Sequence, residues 1–443
     1  MASPPGRQSP IGFTAHQFIG VLVLVTAIWL SSGTMAPYGA TLNTPLVLPP
    51  CDYLFNVDHE HFRQTFLMLD GAPKAAWEGS VVLRRILFPM LAYPLMKLTT
   101  FEVGGFITSV VIHALTFLCF TWWLRRRVGE TGATAGLWLL ATYPGITYWA
   151  ALPYSYACIV PCCLVGFILL SELSDSRASA TVLGCSFGLG ILFLGYDLLP
   201  FFLPPVAAIL LFRKQFALLP AAMILLLAPS VIWIYGVLGL LYQVSPLNPN
   251  TGLYVTVFRS YISRPDWYGW ARLGLRFPLD AIRNYLFSNF LFLPVLFTVF
   301  WRYWSRHAGP ALSQAERWFL LAILGVFLFN NLAPPYPGVQ LRGSYIARIY
   351  QPAFVALLVF TARFIEAIKT QSAATWARRA LVVTVLLNAS VALGLPADNP
   401  IAGFVYMQFY RHGDPDSRNL ANNFARYGHR PLGVCTPPGP ESR

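Results

Sequence analysis

The chain has 443 residues, of which 56% are hydrophobic and only 11% are charged. Soluble globular proteins carry about 25% charged residues, so this composition excludes a soluble domain and indicates an integral membrane protein. The formal net charge is +13, but the lysines and arginines lie in short groups between apolar segments. That distribution follows the positive-inside rule and argues against a nucleic-acid partner.

Apolar segments of about 20 residues recur along most of the chain, and a helix of that length crosses about 30 Å of hydrocarbon. We therefore predict an all-α, polytopic membrane helical bundle with about eleven transmembrane helices. The first span, residues 11–31, is too long for a cleavable signal peptide and lacks an A-x-A exit. The other predicted spans are residues 102–124, 133–150, 153–173, 178–195, 197–212, 216–242, 281–301, 317–335, 344–367 and 374–396.

Four basic groups between these spans predict the orientation of the chain. They are residues 125–127, 213–214, 302–306 and 363–379. All four face the cytoplasm if the N-terminus is cytoplasmic and the apolar segment 83–97 does not cross the membrane. That segment is short, begins with two arginines and contains Pro89 and Pro94. We therefore predict a re-entrant or interfacial helix there.

This orientation divides the chain into a transmembrane domain, residues 1–396, and a short extracytoplasmic tail, residues 397–443. Within the domain, residues 33–101 form a predicted external active-site loop with juxtamembrane helices, and residues 243–280 form a second external loop. The second loop is rich in tryptophan, tyrosine and arginine. These side chains either contact a carbohydrate acceptor or form an interfacial aromatic belt.

The densest group of ionisable residues is DHEHF, residues 58–62. Asp58 and His61 are three residues apart and would share a helix face. Asp58 or Glu60 can act as a general base that takes a proton from an acceptor hydroxyl, or the acidic residues stabilise a helix N-terminus. The histidine spacing does not match a helical zinc motif. A divalent cation such as Mg²⁺ or Mn²⁺, held by Asp58 and Glu60, is an open alternative, and no other cofactor is indicated.

Two groups of arginines are candidates for binding a phosphate. Arg84 and Arg85 open the predicted interfacial segment, and Arg342 and Arg348 lie in RGSYIARIYQP. A guanidinium matches the oxygens of a phosphate, although arginines at helix ends also snorkel to the headgroup layer. Further substrate-binding candidates in or beside the predicted external segments are Tyr154, Asp197, His61, Tyr345 and Tyr350.

The motif DHEHF is followed by RQTFLMLDG and RRILFPMLAYPL, and later by TYPGITYWAALPYSYA and RGSYIARIYQP. In these motifs the chain resembles the bacterial members of the GT-C superfamily of polyprenyl-phosphate-sugar-dependent glycosyltransferases. The resemblance implies inverting transfer of a sugar from a polyprenyl phosphate to an extracytoplasmic glycan or lipid acceptor, at a bacterial inner (plasma) membrane. It also implies that Asp58, or Glu60 in its place, is the catalytic carboxylate, and that Arg84 and Arg348 hold the lipid phosphate.

Two other functions fit parts of the sequence. A transporter or flippase for a lipid-linked or polar substrate would line a pathway with the same charged groups. Such proteins usually have charged or broken helices near the middle of the membrane, whereas the ionisable residues here collect at helix ends. An acyl or phospho-group transferase would typically use a histidine or a nucleophile within a helix. His113 lies within a predicted span, where we expect a satisfied, buried imidazole.

Overall fold

The structure is a computed structural model that describes residues 14–35, 62–78, 80, 83–99, 101–143, 146, 150, 155–196, 199–244, 313–322, 351–368 and 373–392. Within these ranges the regular elements are helices and no strand occurs, so the all-α prediction is confirmed for this part of the chain. Two helices, Val103–Arg127 and Leu219–Leu241, are each long and apolar enough to cross a membrane. The total of about eleven crossings stays a prediction.

The helices are α1 Ala15–Met35, α2 62–69, α3 Leu87–Leu98, α4 Phe101–Arg127, α5 Glu130–Thr142, α6 Ile159–Asp175, α7 Ser179–Leu192, α8 Leu199–Phe212, α9 Leu219–Val231, α10 314–322, α11 Gln351–Ile368 and α12 Ala373–Ala392. Short 3-10 helices cover Lys74–Ala76 and Ser155–Cys158. A π-helix, Ile232–Leu241, continues α9.

Two helices begin at a capping box, in which residues three apart bond to each other's backbone nitrogen. At α1, the Thr14 backbone N–H donates to Gln17 Oε1 over 2.9 Å and the Gln17 N–H donates to Thr14 Oγ1 over 3.4 Å. At α10, Ser313 and Glu316 form the same pair over 2.7 and 3.3 Å. This box explains why α10 begins before the predicted span 317–335.

Helix α5 ends earlier than the hydropathy pattern predicts. The predicted span covers residues 133–150, but the helix stops at Thr142, and Tyr143 is extended with φ −71° and ψ 115°. The next residue is Pro144, whose ring disfavours helical geometry in the residue before it. The 13 residues of α5 are therefore only about 20 Å long.

The core of the bundle includes aromatic rings that contact each other between helices. The Tyr143 and Phe354 rings stack with centres 3.7 Å apart, which joins the end of α5 to α11. Phe167 of α6 contacts Trp123 of α4 at 5.2 Å and Phe319 of α10 at 4.8 Å, both edge to face. Such pairs add to the stabilisation that burial itself provides.

Two of the turns with basic groups, those after α4 and after α8, lie together at one end of the bundle. Arg127, at the end of α4, contacts Glu172 over 2.7 Å and Asp175 over 2.5 Å at the end of α6. Arg213, which follows α8, donates to the carbonyl of Ser176, in the turn that follows α6. These contacts agree with the prediction that these basic groups face the same side of the membrane. The assignment of this end to the cytoplasm stays a prediction.

Candidate functional site

Residues 62–99 form a compact unit in which α2 packs against α3. The Phe62 ring lies 6.0 Å from that of Phe88, and the Phe66 ring lies 5.5 Å from that of Tyr93. Helix α3 has 12 residues and is about 18 Å long, which is shorter than the hydrocarbon layer. This length agrees with the prediction that the segment does not cross the membrane.

Between α2 and α3 lies a turn that carries both arginines and that we call the arginine turn, residues 83–86. The indole Nε1 of Trp233 donates to the Leu83 carbonyl over 2.8 Å. On the other side of the arginines, the Leu87 backbone nitrogen donates to the Leu194 carbonyl over 3.0 Å. These two bonds fix the turn to the π-helix and to the end of α7.

The two arginines of this turn have different environments. Arg84 is only 8% exposed. Arg85 is half-buried, and its guanidinium carbon lies 5.5 Å from the centre of the Tyr196 ring. A guanidinium over an aromatic face is attracted by the ring, more strongly when it is desolvated. A guanidinium held in this way keeps its charge and can bind an anion.

An apolar cluster lies under the arginine turn and joins it to the π-helix. It consists of Met68, Trp77, Leu83, Ile86, Trp233, Leu238 and Val244. The Trp77 ring meets that of Tyr242 edge to face at 5.4 Å. Lys74 Nζ donates to the Gln243 carbonyl over 2.8 Å. The described parts of both predicted external loops therefore contact each other.

A second polar contact joins the C-terminal end of α2 to the C-terminal half of α3. Asp70 Oδ1 accepts hydrogen bonds from Lys97 Nζ over 2.5 Å and from the Tyr93 hydroxyl over 3.2 Å. The hydrogen bond from Lys97 lowers the pKa of Asp70, and the same bond raises the pKa of Lys97. Asp70 is thus an ionised carboxylate that links the two helices.

Arg84 and Arg85 are the predicted site residues that the structure describes, and it places them side by side in the arginine turn. The other predicted site residues lie outside the described ranges: Asp58, Glu60, His61, Tyr154, Asp197, Arg342, Tyr345, Arg348 and Tyr350. The described ranges contain no group of three His, Cys, Asp or Glu residues that could hold a metal ion. The proposed cation ligands, Asp58 and Glu60, are not in those ranges.

His113 is a buried residue with a local partner, as the sequence predicts. Its Nδ1 lies 2.8 Å from the Ser109 carbonyl one turn earlier in α4. The Ser109 hydroxyl in turn donates to the Ala150 carbonyl over 2.6 Å. This short polar chain joins α4 to residue 150 and accounts for the imidazole without a catalytic role.

The sequence interpretation missed Tyr196 and Trp233, which contact the arginine turn. Tyr196 stands beside Asp197 in GYDLLP, a segment that had drawn attention only for its acidic residue. Trp233 lies in the apolar run IWIYGVLGLL. Its partner is 150 positions earlier in the chain, and a hydropathy pattern contains no signal for such a contact.

No protein family profile matches the sequence, and no curated protein matches it significantly. Among the solved structures that are similar to the chain, two are matched over 94% and 95% of its length. One is ArnT from Cupriavidus metallidurans bound to undecaprenyl phosphate, with 13% identity and a TM-score of 0.49 over 94% of this chain and 78% of that chain. The other is the Archaeoglobus fulgidus oligosaccharyltransferase in complex with Zn and sulfate, with 11% identity and a TM-score of 0.43.

The oligosaccharyltransferase match covers 95% of this chain and 59% of that chain. With TM-scores below 0.5, neither similarity by itself assigns a donor, an acceptor or a catalytic residue to this chain.

Proposed function

We propose that this protein is an integral membrane glycosyltransferase that moves a sugar from a polyprenyl-phosphate donor to a glycan or lipid acceptor on the extracytoplasmic side. The arginine turn, with Arg84 and Arg85, would bind the phosphate of the donor. Asp58 or Glu60 would be the base. The proposed donor belongs to the same chemical class as the undecaprenyl phosphate in the ArnT structure.

The observation that carries this proposal is the fixed position of two adjacent arginines in the turn before α3, since α3 packs against the helix that follows the acidic segment in the chain. The described part of α2 starts at Phe62, the residue after DHEH in the sequence, and the Phe62 ring lies 6.0 Å from that of Phe88, three residues after Arg85. Asp58 is four residues before Phe62, so their Cα atoms are at most about 14 Å apart. Chain connectivity therefore limits how far both candidate carboxylates can lie from the start of the described part of α2, which packs against α3.

The proposed reaction needs a negatively charged carboxylate at the acceptor hydroxyl and positively charged arginines at the donor phosphate. The carboxylate accepts the proton of the acceptor hydroxyl as its oxygen attacks the anomeric carbon. The bond between that carbon and the phosphate oxygen breaks, and polyprenyl phosphate leaves with an additional negative charge. Arg84 and Arg85 stabilise this charge, and Arg342 and Arg348 are proposed to contribute from the later external turn. The sugar is transferred with inversion because a single displacement occurs.

The test is a panel of polyprenyl-phosphate sugars offered to the purified protein in lipid nanodiscs, with an Arg84→Gln variant beside it. We expect the native protein to release sugar from one donor, and Arg84→Gln to raise the donor KM by about 10-fold or more, because a charged hydrogen bond to the phosphate is lost. Absence of donor binding and turnover in the native protein would contradict the proposal. Transport assays would then test the alternative of a transporter or flippase.

A further inference from the structure

We infer that Trp233 is a positioning residue for the donor phosphate, because its indole N–H holds the arginine turn in the orientation that presents Arg84 and Arg85. This inference rests on the function proposed above. It assigns a role to a residue of the π-helix that does not itself touch substrate. The role depends on one hydrogen bond, from Trp233 Nε1 to the Leu83 carbonyl over 2.8 Å.

The Leu83 carbonyl needs a partner from outside its own segment. Residues 83–86 are not helical, and Leu83 is 1% exposed. A buried backbone carbonyl in such a place is almost always paired. The indole of Trp233 is a donor only, is 9% exposed and supplies that partner. The bond acts on the residue directly before Arg84, so its loss changes the backbone from which the guanidinium extends.

The π-helix explains how Trp233 comes to face the turn. Trp233 and Leu238 are the buried residues of this helix, and both belong to the apolar cluster under the arginine turn. In an α-helix, with 100° per residue, residues five apart point about 140° away from each other. A π-helix bonds each residue to the one five positions away, which brings both side chains to the same side. The wider helix therefore creates the apolar surface against which Leu83 and Ile86 of the arginine turn pack.

Orientation matters at this site because a guanidinium recognises a phosphate through a planar fork of donors. A small rotation of the turn would break one of the two parallel hydrogen bonds between a guanidinium and the phosphate, and the positive charge would remain. The backbone bond from Leu87 to Leu194 holds the far side of the turn and limits the movement. The effect on donor binding should therefore be smaller than that of removing an arginine.

The chain contains a matched control for this hydrogen bond. Trp77 belongs to the same apolar cluster, and its Nε1 donates to the Ala72 carbonyl over 3.0 Å. That bond is local and does not involve the arginine turn. Trp233→Phe and Trp77→Phe therefore remove the same chemical group from the same cluster. If the Phe variant of Trp233 is poorly produced, benzothienylalanine at this position removes the N–H and keeps the ring shape.

The first readout is the steady-state kinetics of the donor identified by the panel. We expect Trp233→Phe to raise the donor KM by about 3- to 10-fold, the size of one lost buried hydrogen bond, and to leave the acceptor KM unchanged. Trp77→Phe should change neither KM. A purely structural role for Trp233 would lower the active fraction and hence kcat, with the donor KM equal to that of the native protein. That result would overturn the inference.

The second readout does not require activity. Phenylglyoxal modifies exposed arginines, and mass spectrometry of the native protein in nanodiscs gives the rate at Arg84. We expect this rate to rise at least about threefold in Trp233→Phe and to stay unchanged in Trp77→Phe. An unchanged rate at Arg84 in Trp233→Phe contradicts the inference, whether or not the native protein consumes a donor. Failure of the native protein to use any donor contradicts the proposed function instead.

Discussion

The backbone nitrogen of Met96 lies 2.4 Å from the position that a Cβ atom would occupy on Gly104. Helix α3 therefore rests directly on the backbone of α4, and no side chain larger than hydrogen fits between them. We expect Gly104→Ala to move α3 and to lower the free energy of unfolding by about 1–3 kcal/mol, the usual cost of overpacking. Thermal unfolding in detergent, together with donor KM, measures both effects.

Gly184 provides the control for this substitution. It lies inside α7, and a Cβ atom built on it meets no atom from the rest of the described residues, apart from its chain neighbours and the backbone of its own helix, within 4 Å. Gly184→Ala should therefore raise the stability by about 0.5–1 kcal/mol, because alanine loses less backbone entropy in a helix. Equal effects of the two substitutions would show that α3 is not packed on α4 as described.

Arg127 holds the ends of α4 and α6 together through its contacts with Glu172 and Asp175. All three side chains are partly exposed, so we expect Arg127→Ala to lower the free energy of unfolding by only about 0.5–1 kcal/mol. The effect should diminish at high salt. The neighbouring Arg126 is exposed and stacks on Trp122, so Arg126→Ala should be close to neutral. Thermal unfolding at two salt concentrations distinguishes them.

The sequence predicted most of the described helices to within a few residues. The hydropathy pattern placed a span at residues 178–195, and α7 covers Ser179–Leu192. It placed another at residues 102–124, and α4 covers Phe101–Arg127. These predictions work because the cost of exposing backbone to hydrocarbon leaves a long apolar segment few alternatives.

Other features could not be read from hydropathy because they depend on local or distant geometry. The predicted span 216–242 is an α-helix followed by the π-helix Ile232–Leu241, and two glycines in an apolar run do not specify that change. In the candidate site, the charge of Arg84 and Arg85 was enough to identify them from the sequence as candidates for binding a phosphate. The contacts that orient them come from Tyr196 and Trp233, which are far away in sequence.

The contact between Asp70 and Lys97 predicts a pH dependence of the unit formed by α2 and α3. Lys97 lowers the pKa of Asp70, so the contact is fully formed above the ordinary aspartate pKa of about 3.9 and is lost as the pH falls through the lowered value. Asp70 raises the pKa of Lys97, so the contact is also lost when the pH rises through that raised value. Hydrogen exchange in residues 62–78, corrected for the intrinsic rate, should be constant between about pH 5 and pH 9.

Asp70→Asn tests this assignment. The amide keeps the size of the side chain but removes both the group that titrates in acid and the charge that raises the pKa of Lys97. We expect residues 62–78 to exchange faster at neutral pH and to lose the acid-dependent step. Since both side chains are partly exposed, Tm should fall by no more than about 2 °C. An unchanged acid-dependent step in the variant would show that another group causes it.

Cysteine labelling tests the orientation in the membrane. Single cysteines at positions 60 and 99 should react with an impermeant maleimide from the extracytoplasmic side, because both flank a segment that we predict not to cross the membrane. A cysteine in place of Lys214, which lies in the basic turn after α8, should react from the cytoplasmic side. The seven native cysteines, which include the exposed Cys119, are first replaced so that each variant carries one reactive thiol. Labelling of positions 60 and 99 from opposite sides would show that residues 83–97 cross the membrane.

The most direct test of the proposed function is sugar release from the donor that the panel identifies, measured for the native protein, Asp58→Asn and Glu60→Gln in lipid nanodiscs. We predict that one of the two substitutions abolishes release, at least about a 100-fold loss for a removed general base, while binding of undecaprenyl phosphate is unchanged. Native rates in both variants, or release that is lost together with binding, would contradict a carboxylate base in residues 58–60.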